Sequence, residues 1–386
     1  MQEKRDVAMK NIYHLLFKFI KNETVLCIAS FTAILTMFFI PPSQIYLTYI
    51  DFRVLGLLFC LMAVIAGFNK TGVFLLLSEK ILMRVANVRS IALVLVLMSF
   101  FSSMWITNDV ALITFVPLTI LILTMTGHTQ HLIIIIVLQT IAANLGSMLT
   151  PVGNPQNLYL YSQYNIPIME FLSITLPYTI ISLLLLGITV MFLPKEHISF
   201  TLTNTTKTDK HEPYIIAMYS GLFLICLACV LRIIDYRATL LVVFLCILLF
   251  DRSVLRKVDY YLLLTFVSFF VFVGNIGNIP IVNEFLASLL KGRELLISIL
   301  SSQIISNVPA AVLLSAFTTD YKAMIIGTDL GGLGTLVASL ASLISYKFYS
   351  RTPNANPAKY LGIFTLYNLG FLAILCLFYY IWNGLF

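Results

Sequence analysis

Charged side chains are scarce in this chain. Lys, Arg, Asp and Glu make up 11% of its 386 residues and hydrophobic residues 60%, whereas a typical soluble domain is about a quarter charged. This composition excludes a soluble globular protein and predicts an all-α polytopic membrane protein in the lipid bilayer, since helices satisfy their own backbone polar groups in lipid. The net charge of +7 arises in loops between apolar segments, so no nucleic-acid partner is expected.

Several functional signatures are also missing. Intramembrane hydrolases need a Ser–His pair, a catalytic Asp pair or a His-Glu-x-x-His set at depth, and Asp109 and Asp329 lack a catalytic motif around them. No ATP-binding P-loop and no ring-forming selectivity filter is present. The six cysteines fall in apolar segments and are predicted to be buried structural residues. We therefore expect no enzyme activity and no cofactor, and an intramembrane enzyme is the alternative from a different class.

Apolar segments of membrane-spanning length alternate with short loops. Two further segments, 90–126 and 293–319, each hold two apolar arms of about 10–17 residues, which predicts re-entrant helical hairpins. Segments 9–22, 72–88 and 281–292 are predicted to lie at the membrane surface. The predicted crossings are 24–41, 53–68, 132–163 (broken), 171–193, 214–231, 238–250, 260–276, 321–348 (broken) and 359–382.

The distribution of Lys and Arg predicts the orientation of the chain. With the N-terminus inside, the predicted inside loops hold 18 of the 24 basic residues and the outside loops hold 6. Cytoplasmic loops of membrane proteins are enriched in Lys and Arg. We therefore expect a multi-pass protein of the cell membrane (plasma or inner membrane), with a cytoplasmic N-terminus and the C-terminus outside.

A short polar pattern occurs twice within the apolar sequence. I-T-N-D-V-A at 106–111 resembles I-S-N-V-P-A at 305–310, and a glycine-rich polar stretch follows each copy. The two hairpins open to opposite sides in the predicted topology, which indicates inverted-topology repeats. The paired positions are Asn108 with Asn307, Asn144 with Asp329, Gly146 with Gly331, Thr150 with Thr335, Asn154 with Ser339, and Asp51 with Asp259.

This pattern divides the chain into an N-terminal repeat (1–193), a cytoplasmic linker (194–213), and a linking helix with the C-terminal repeat (214–386). Two matched interruptions in apolar sequence indicate the binding site of a secondary transporter. Helix starts attract anions, and unwound carbonyls can bind Na⁺. Asp109 and Asp329 are the acids that lie well inside the predicted membrane, where a carboxylate suggests a functional role.

The motifs resemble the ion transporter superfamily, which includes arsenite permeases, citrate and dicarboxylate transporters and some sodium/proton antiporters. N-D-V-A-L-I-T-F-V-P at 108–117 is similar to an arsenite-permease stretch, and S-N-V-P at 306–309 is similar to the Ser-Asn-Thr signature of divalent anion/sodium symporters. The first copy departs from that signature at Thr107 and Asp109. The resemblance implies a scaffold, a mobile transport part, a homodimer, one cation site in each half, and a substrate between the hairpin tips.

The expected function is therefore secondary transport of a small anion, a di- or tricarboxylate or an inorganic oxyanion, coupled to Na⁺ or H⁺ by alternating access. A sodium/proton antiporter with Asp109 and Asp329 as proton carriers, and an arsenite efflux permease, are rival interpretations. The candidate substrate-binding residues are Thr107, Asn108, Asn154, Ser306, Asn307, Val308, Thr335 and Ser339. The candidate cation-binding residues are Asn108, Asp109, Asn144, Gly146, Thr150, Gly153, Asn307, Asp329, Gly331 and Gly332.

Overall fold

The computed structural model describes residues 23–72, 87–197 and 213–385, and these ranges are helical apart from connecting turns and one isolated bridge between Asn87 and His197. The α-helices are α1 (Thr24–Met37), α2 (Tyr46–Tyr49), α3 (Phe52–Thr71), α4 (Val88–Ile106), α5 (Asn108–Met125), α6 (Leu132–Ser147), α7 (Pro155–Gln163), α8 (Ile168–Met191), α9 (Pro213–Val230), α10 (Tyr236–Phe250), α11 (Tyr260–Gly277), α12 (Pro280–Leu290), α13 (Glu294–Ile305), α14 (Asn307–Ser315), α15 (Tyr321–Leu330), α16 (Leu340–Ser350) and α17 (Pro357–Leu385).

The predicted all-α membrane fold class is confirmed. Within the described ranges, seven helices are long and apolar enough to cross a membrane. Each half contains a helical hairpin followed by a broken helix: α4–α5 and then α6–α7 in the first half, α13–α14 and then α15–α16 in the second. We call these the first and second hairpin and the first and second broken helix.

The arms of the first hairpin are longer than the sequence suggested. The sequence predicted arms of about 10–17 residues, whereas α4 and α5 have 19 and 18 residues. The predicted length was therefore wrong for the first hairpin. The arms of the second hairpin, α13 and α14, have 12 and 9 residues. The polar residues in α4 do not interrupt it, because the hydroxyls of Ser99 and Ser103 donate back to the carbonyls of Leu95 and Phe100 at 3.0 and 2.8 Å. Both arms are thus long enough to cross a membrane, and the re-entrant path stays a prediction.

The two halves use the same local chemistry at paired positions. Asp51 caps α3 by accepting a hydrogen bond from the Val54 amide at 2.9 Å, and Asp259 caps α11 in the same way through the Leu262 amide at 2.9 Å. A side-chain oxygen in this position satisfies one of the amides left free at a helix start. The two halves therefore share these caps as well as the order of hairpin and broken helix, whereas the inversion across the membrane stays a prediction.

Two hydrophobic clusters form the core. One is centred on α3, which packs against α9, α10 and neighbouring helices, and the other is centred on α6, which packs against α4, α8 and α17. Both clusters draw residues from both halves of the chain; Leu295 and Ile326, for example, belong to the cluster around α6. The two halves are therefore packed into each other, and helices of the two broken helices contact each other.

The predicted surface segments have different outcomes. Segment 281–292 forms α12, and Ile281 and Phe285 on it are 82% and 62% exposed. Segment 9–22, nearly all of 72–88 and most of the 194–213 linker lie outside the described residues. The start of the linker is held at the base of the first hairpin, since the Val88 amide donates to the Glu196 carbonyl at 2.9 Å.

Candidate functional site

The tips of both hairpins have an unusual backbone. Thr107 separates α4 from α5 with φ 70° and ψ 151°, and Ser306 separates α13 from α14 with φ 72° and ψ 154°. This region is essentially restricted to glycine, and a residue with a Cβ there costs about 1–3 kcal/mol. Asn108 and Asn307 therefore begin helices immediately after a sharp turn, with the free amides of a helix start around them.

Each tip is attached to the interruption of the broken helix in its own half. The Asn108 amide donates to the Gly153 carbonyl at 3.2 Å, and the Ser306 hydroxyl donates to the Ala338 carbonyl at 3.3 Å. These bonds place both helix starts beside unwound backbone, the arrangement expected of a polar site inside a membrane protein.

The paired threonines make equivalent contacts. The Thr150 hydroxyl donates to the Met104 carbonyl, and the Thr335 hydroxyl donates to the Gln303 carbonyl at 3.3 Å. Met104 and Gln303 each lie three residues before a hairpin tip. Thr150 and Thr335 thus fasten the hairpins to the breaks, and their predicted direct roles in cation and substrate binding stay predictions.

Buried amides link the two halves at the centre. Asn108 donates through Nδ2 to Asn144 Oδ1 at 3.0 Å, and its own Oδ1 accepts from the Asp109 amide at 2.9 Å. The Ser339 hydroxyl donates to the same Asn144 oxygen at 3.1 Å. Asn144 Nδ2 in turn donates to the Gly332 carbonyl at 3.3 Å. We call Asn108, Asn144, Gly332, Ser339 and the adjoining Asn307 the amide cluster.

Asn307 differs from its counterpart Asn108. It is only 4% exposed, yet within the part of the chain that the structure describes its side chain forms no hydrogen bond. A methyl group added at Gly332 would lie 3.0 Å from Asn307 Nδ2 and 3.2 Å from the Asp329 carbonyl oxygen. The Asn307 amide therefore borders a narrow space beside Gly332, and its predicted roles in substrate and cation binding stay predictions.

Asp329 is buried at the end of α15, only 2% exposed. Its Oδ1 accepts a hydrogen bond from Asn154 Nδ2 of the first broken helix at 3.2 Å. Its Oδ2 has no partner among the described residues. Asn154 also donates to the Ser147 hydroxyl at 3.1 Å and caps α7 through the Asn157 amide at 2.9 Å. Asp329 and Asn154 thus bond to each other across the two halves.

Three of the predicted cation-site glycines have a packing reason. A methyl group on Gly146 would overlap with the backbone oxygen of Phe100, and one on Gly331 would come 2.5 Å from the Ser302 hydroxyl. One on Gly153 would overlap with the backbone of Ser147. Their lack of a side chain lets the hairpins and breaks approach closely, and carbonyl coordination of a cation by them stays a prediction.

Two adjoining cavities open next to the tips. One of about 380 Å³ is lined by Ser306 and Val308 of the second hairpin and by the charged residues Glu23, Asp109, Asp259 and Lys347. The other, of about 430 Å³, shares Asp109 and is also lined by Lys70. Asp109 is half-buried, and its Oδ1 has no partner within the described ranges. Of the predicted site residues, Asp109, Ser306 and Val308 thus face these cavities.

The sequence interpretation missed Gln303, which holds the second break in place. Its Nε2 donates to the carbonyls of Gly331 and Leu333 at 3.0 and 2.9 Å, and its Oε1 accepts from the Thr335 amide at 2.8 Å. A glutamine that follows Ser301 and Ser302 in the hairpin arm, where the other half has Met104, was the available signal. Thr335 itself is exposed, unlike the amide cluster.

The known proteins that this chain resembles are described as transporters or membrane proteins. A family model described as citrate transporter, CitMHS, matches residues 14–329. The uncharacterized transporter MJ0456 of Methanocaldococcus jannaschii is 34% identical over 309 residues, covering 80% of this chain and 84% of the relative. The inner membrane protein YbiR of Escherichia coli is 29% identical over 337 residues, covering 86% and 88%. A 46 kDa membrane protein of Mycobacterium leprae is 23% identical over 371 residues, covering 84% and 85%.

Proposed function

Because this chain belongs to the CitMHS citrate transporter family, we propose that it is a cation-coupled secondary transporter of a small carboxylate anion. The family makes it a multi-pass membrane transporter of the ion transporter superfamily that the motifs resemble. Our proposal adds the substrate class, a di- or tricarboxylate such as citrate, and the coupling ion, Na⁺ or H⁺. An inorganic oxyanion is the other small anion that the same chemistry would suit.

The observation that carries this proposal is the amide cluster between the two helix starts. The free amides at the starts of α5 and α14 carry partial positive charge and suit a carboxylate. Ser306 and Val308 line the 380 Å³ cavity next to them, so an anion that enters this cavity meets the start of α14. Asn307, whose side chain forms no hydrogen bond in the described structure, would bind the substrate through its side-chain amide.

The residues present also suit a cation. Na⁺ prefers oxygen ligands, which carboxylates, amides and unwound carbonyls supply. Asp109 Oδ1 and Asp329 Oδ2 are buried oxygens without a partner in the described ranges. A bound cation would offset the charge of the anion, so that the loaded site could change its exposure from one side of the membrane to the other.

The experiment is uptake of radiolabelled citrate into liposomes that contain the purified protein. We expect uptake well above that of protein-free liposomes when a Na⁺ or H⁺ gradient is imposed, and loss of uptake in Asn144→Leu, which removes the centre of the amide cluster. Citrate uptake at the protein-free level under both gradients, and equally for succinate, sulfate and phosphate, would contradict the proposal.

A sodium/proton antiporter is a second candidate, favoured by the unpartnered oxygens of Asp109 and Asp329. The same liposomes, loaded with a pH-sensitive dye, distinguish it from the first candidate. Na⁺-driven proton movement without any anion would support the antiporter, and net arsenite movement would support the efflux interpretation.

We further propose that the protein lies in the cell membrane with a cytoplasmic N-terminus, an outside C-terminus and a homodimeric assembly. In a variant without the six native cysteines, a cysteine placed in the 198–212 segment is expected to react with an impermeant reagent only from the cytoplasmic side. A cysteine at the C-terminus is expected to react only from outside. Labelling of both from one side would contradict the inverted-repeat topology, and the mass of the protein in detergent tests the dimer.

A further inference from the structure

The connection between α10 and α11 carries a cluster of basic side chains. It is a short 3₁₀ helix that begins at Arg252 and ends at Lys257. Val254 within it is fully buried, whereas Arg252, Arg256 and Lys257 are exposed. The buried valine thus fixes the connection to the protein, and the basic residues lie at the protein surface.

Two of these basic residues line one cavity. Arg252, Ser253 and Arg256 surround a space of about 460 Å³. Within the part of the chain that the structure describes, neither guanidinium group has a hydrogen bond or an ion pair. A guanidinium group presents its N–H donors in a planar fork that fits phosphate and carboxylate oxygens. The cavity therefore offers positive charge and unused donors to an anion.

The carboxylate next to this cavity is already paired. Lys70 Nζ donates to both oxygens of Asp251 at 2.8 Å, and the hydroxyls of Ser253 and Tyr219 donate to it at 2.7 and 3.2 Å. Partial burial would raise the pKa of the Asp251 carboxyl, but the hydrogen bonds from Lys70 and Ser253 hold it below its usual range. Lys70 thus balances the charge of Asp251, and the charge of the two arginines is left in excess.

The same connection lies beside an apolar surface. Leu249 and Phe250, the last residues of α10, are 76% and 70% exposed, and Tyr260 and Tyr261 at the start of α11 are exposed as well. Apolar side chains at the end of a membrane helix face lipid, and tyrosine is enriched at the level of the headgroups. The two arginines therefore lie where lipid headgroups are expected, on the side that the charge distribution predicts to be cytoplasmic.

We propose that Arg252 and Arg256 bind the phosphate of an anionic phospholipid, whose acyl chains cover Leu249 and Phe250. A soluble anion would use the arginines alone and would leave this apolar surface uncovered. The residues that line the cavity include no carboxylate to pair with the ammonium group of a zwitterionic headgroup, so a headgroup with net negative charge is favoured. This inference goes beyond the proposed function and does not depend on which substrate is transported.

The test is lipid binding by the purified full-length protein, measured by native mass spectrometry and by thermal unfolding in detergent with added lipid. The probes are phosphatidylglycerol and phosphatidylcholine with the same acyl chains. We expect phosphatidylglycerol to bind more tightly and to raise the unfolding temperature more. Arg252→Gln and Arg256→Gln should each weaken its binding by about fivefold, the contribution expected of one basic residue beside an anionic lipid surface.

Arg351→Gln is the matched control. Arg351 follows α16 in another of the predicted inside loops, is exposed, and its side chain has no hydrogen bond or ion pair among the described residues. It lines none of the three cavities described. This variant loses the same charge, and its affinity for phosphatidylglycerol is expected to equal that of the wild type.

Three results would overturn the lipid site. The first is equal binding of both lipids by the wild type, and the second is unchanged phosphatidylglycerol binding in the double variant Arg252→Gln/Arg256→Gln. The third is an equal loss in Arg351→Gln, which would show a general effect of charge. Inorganic phosphate is the probe for a soluble anion. If it stabilises the wild type but not the double variant, while the two lipids bind equally, the cavity binds a soluble anion instead of a lipid.

Discussion

Gly146→Ala is expected to lower the free energy of unfolding by about 3 kcal/mol or more. This is at the upper end of the loss of stability seen when an extra methyl group is added to a well-packed core. The new methyl group would overlap with the backbone oxygen of Phe100 and lie 2.7 Å from the Ser103 hydroxyl. A backbone oxygen moves only if α4 moves, and α4 packs against α6. Thermal unfolding of the purified protein in detergent measures the effect.

Gly187→Ala is the matched control for this prediction. Gly187 lies within α8, and a methyl group there has no neighbour within 4 Å. Alanine favours helix over glycine by about 1 kcal/mol, so this variant is expected to be as stable as the wild type or slightly more so. Equal stability of Gly146→Ala and Gly187→Ala would contradict the close approach of the first hairpin to the first broken helix.

The paired glycine should respond less strongly. The nearest atom to a methyl group on Gly331 is the hydroxyl oxygen of Ser302, at 2.5 Å, and this side chain can rotate away. The nearest backbone atom, the Gly327 oxygen, lies 2.8 Å away, whereas the Phe100 oxygen lies 2.2 Å from a methyl group on Gly146. Ser103 and Ser302 lie at equivalent positions, four residues before the two tips. The two halves therefore share a close helix approach at this position, and we expect the first half to tolerate the added methyl group less well than the second.

The sequence predicted the all-α membrane fold class and the positions of both hairpin tips. Polar residues in long apolar stretches identified the hairpin tips at Thr107 and Ser306, because such residues are rare at membrane depth unless they form a site. Repetition of the pattern paired Asp51 with Asp259, and the structure shows both as helix caps. Hydrophobicity and internal repetition can be recognised in the sequence itself, so they could be identified before any contact was known.

The partners of the site residues could not be predicted in the same way. Asn154 and Asp329 are 175 positions apart, and Asn144 reaches a carbonyl 188 positions away. The sequence placed Asn154 among the substrate-binding residues and Asp329 among the cation-binding residues, and it did not predict a contact between them. In the structure they bond to each other, because the two broken helices meet at their breaks. Which polar groups satisfy one another depends on this packing.

The same packing makes Asn108 and Asn307 unequal, although the sequence pairs them. Asn108 bonds to Asn144 and to the Asp109 amide, whereas Asn307 forms no side-chain hydrogen bond in the described structure. Removing a hydrogen-bonded side chain costs about 0.5–1.5 kcal/mol for each bond lost. Removing one that has no bond costs little, unless a ligand uses it.

Asn307→Ala is therefore expected to keep the stability of the ligand-free protein within about 1 kcal/mol of the wild type, and to lose the stabilisation by citrate. A bound ligand at 100 times its dissociation constant adds about 2.7 kcal/mol, so this loss is measurable by thermal unfolding with and without citrate. Citrate uptake into liposomes should fall with it, because the Asn307 amide lies at the helix start that the cavity exposes.

Asn108→Ala is the matched comparison, and it should behave differently. It removes the bonds to Asn144 and to the Asp109 amide, so we expect the ligand-free protein to lose about 1–3 kcal/mol of stability, together with citrate binding. Equal destabilisation by both substitutions would make Asn307 a structural residue. If Asn307→Ala keeps full stabilisation by citrate and full citrate uptake, the substrate binds elsewhere. The variant is expected to be about as stable as the wild type, so a loss of stability could not hide a contribution of this amide to binding.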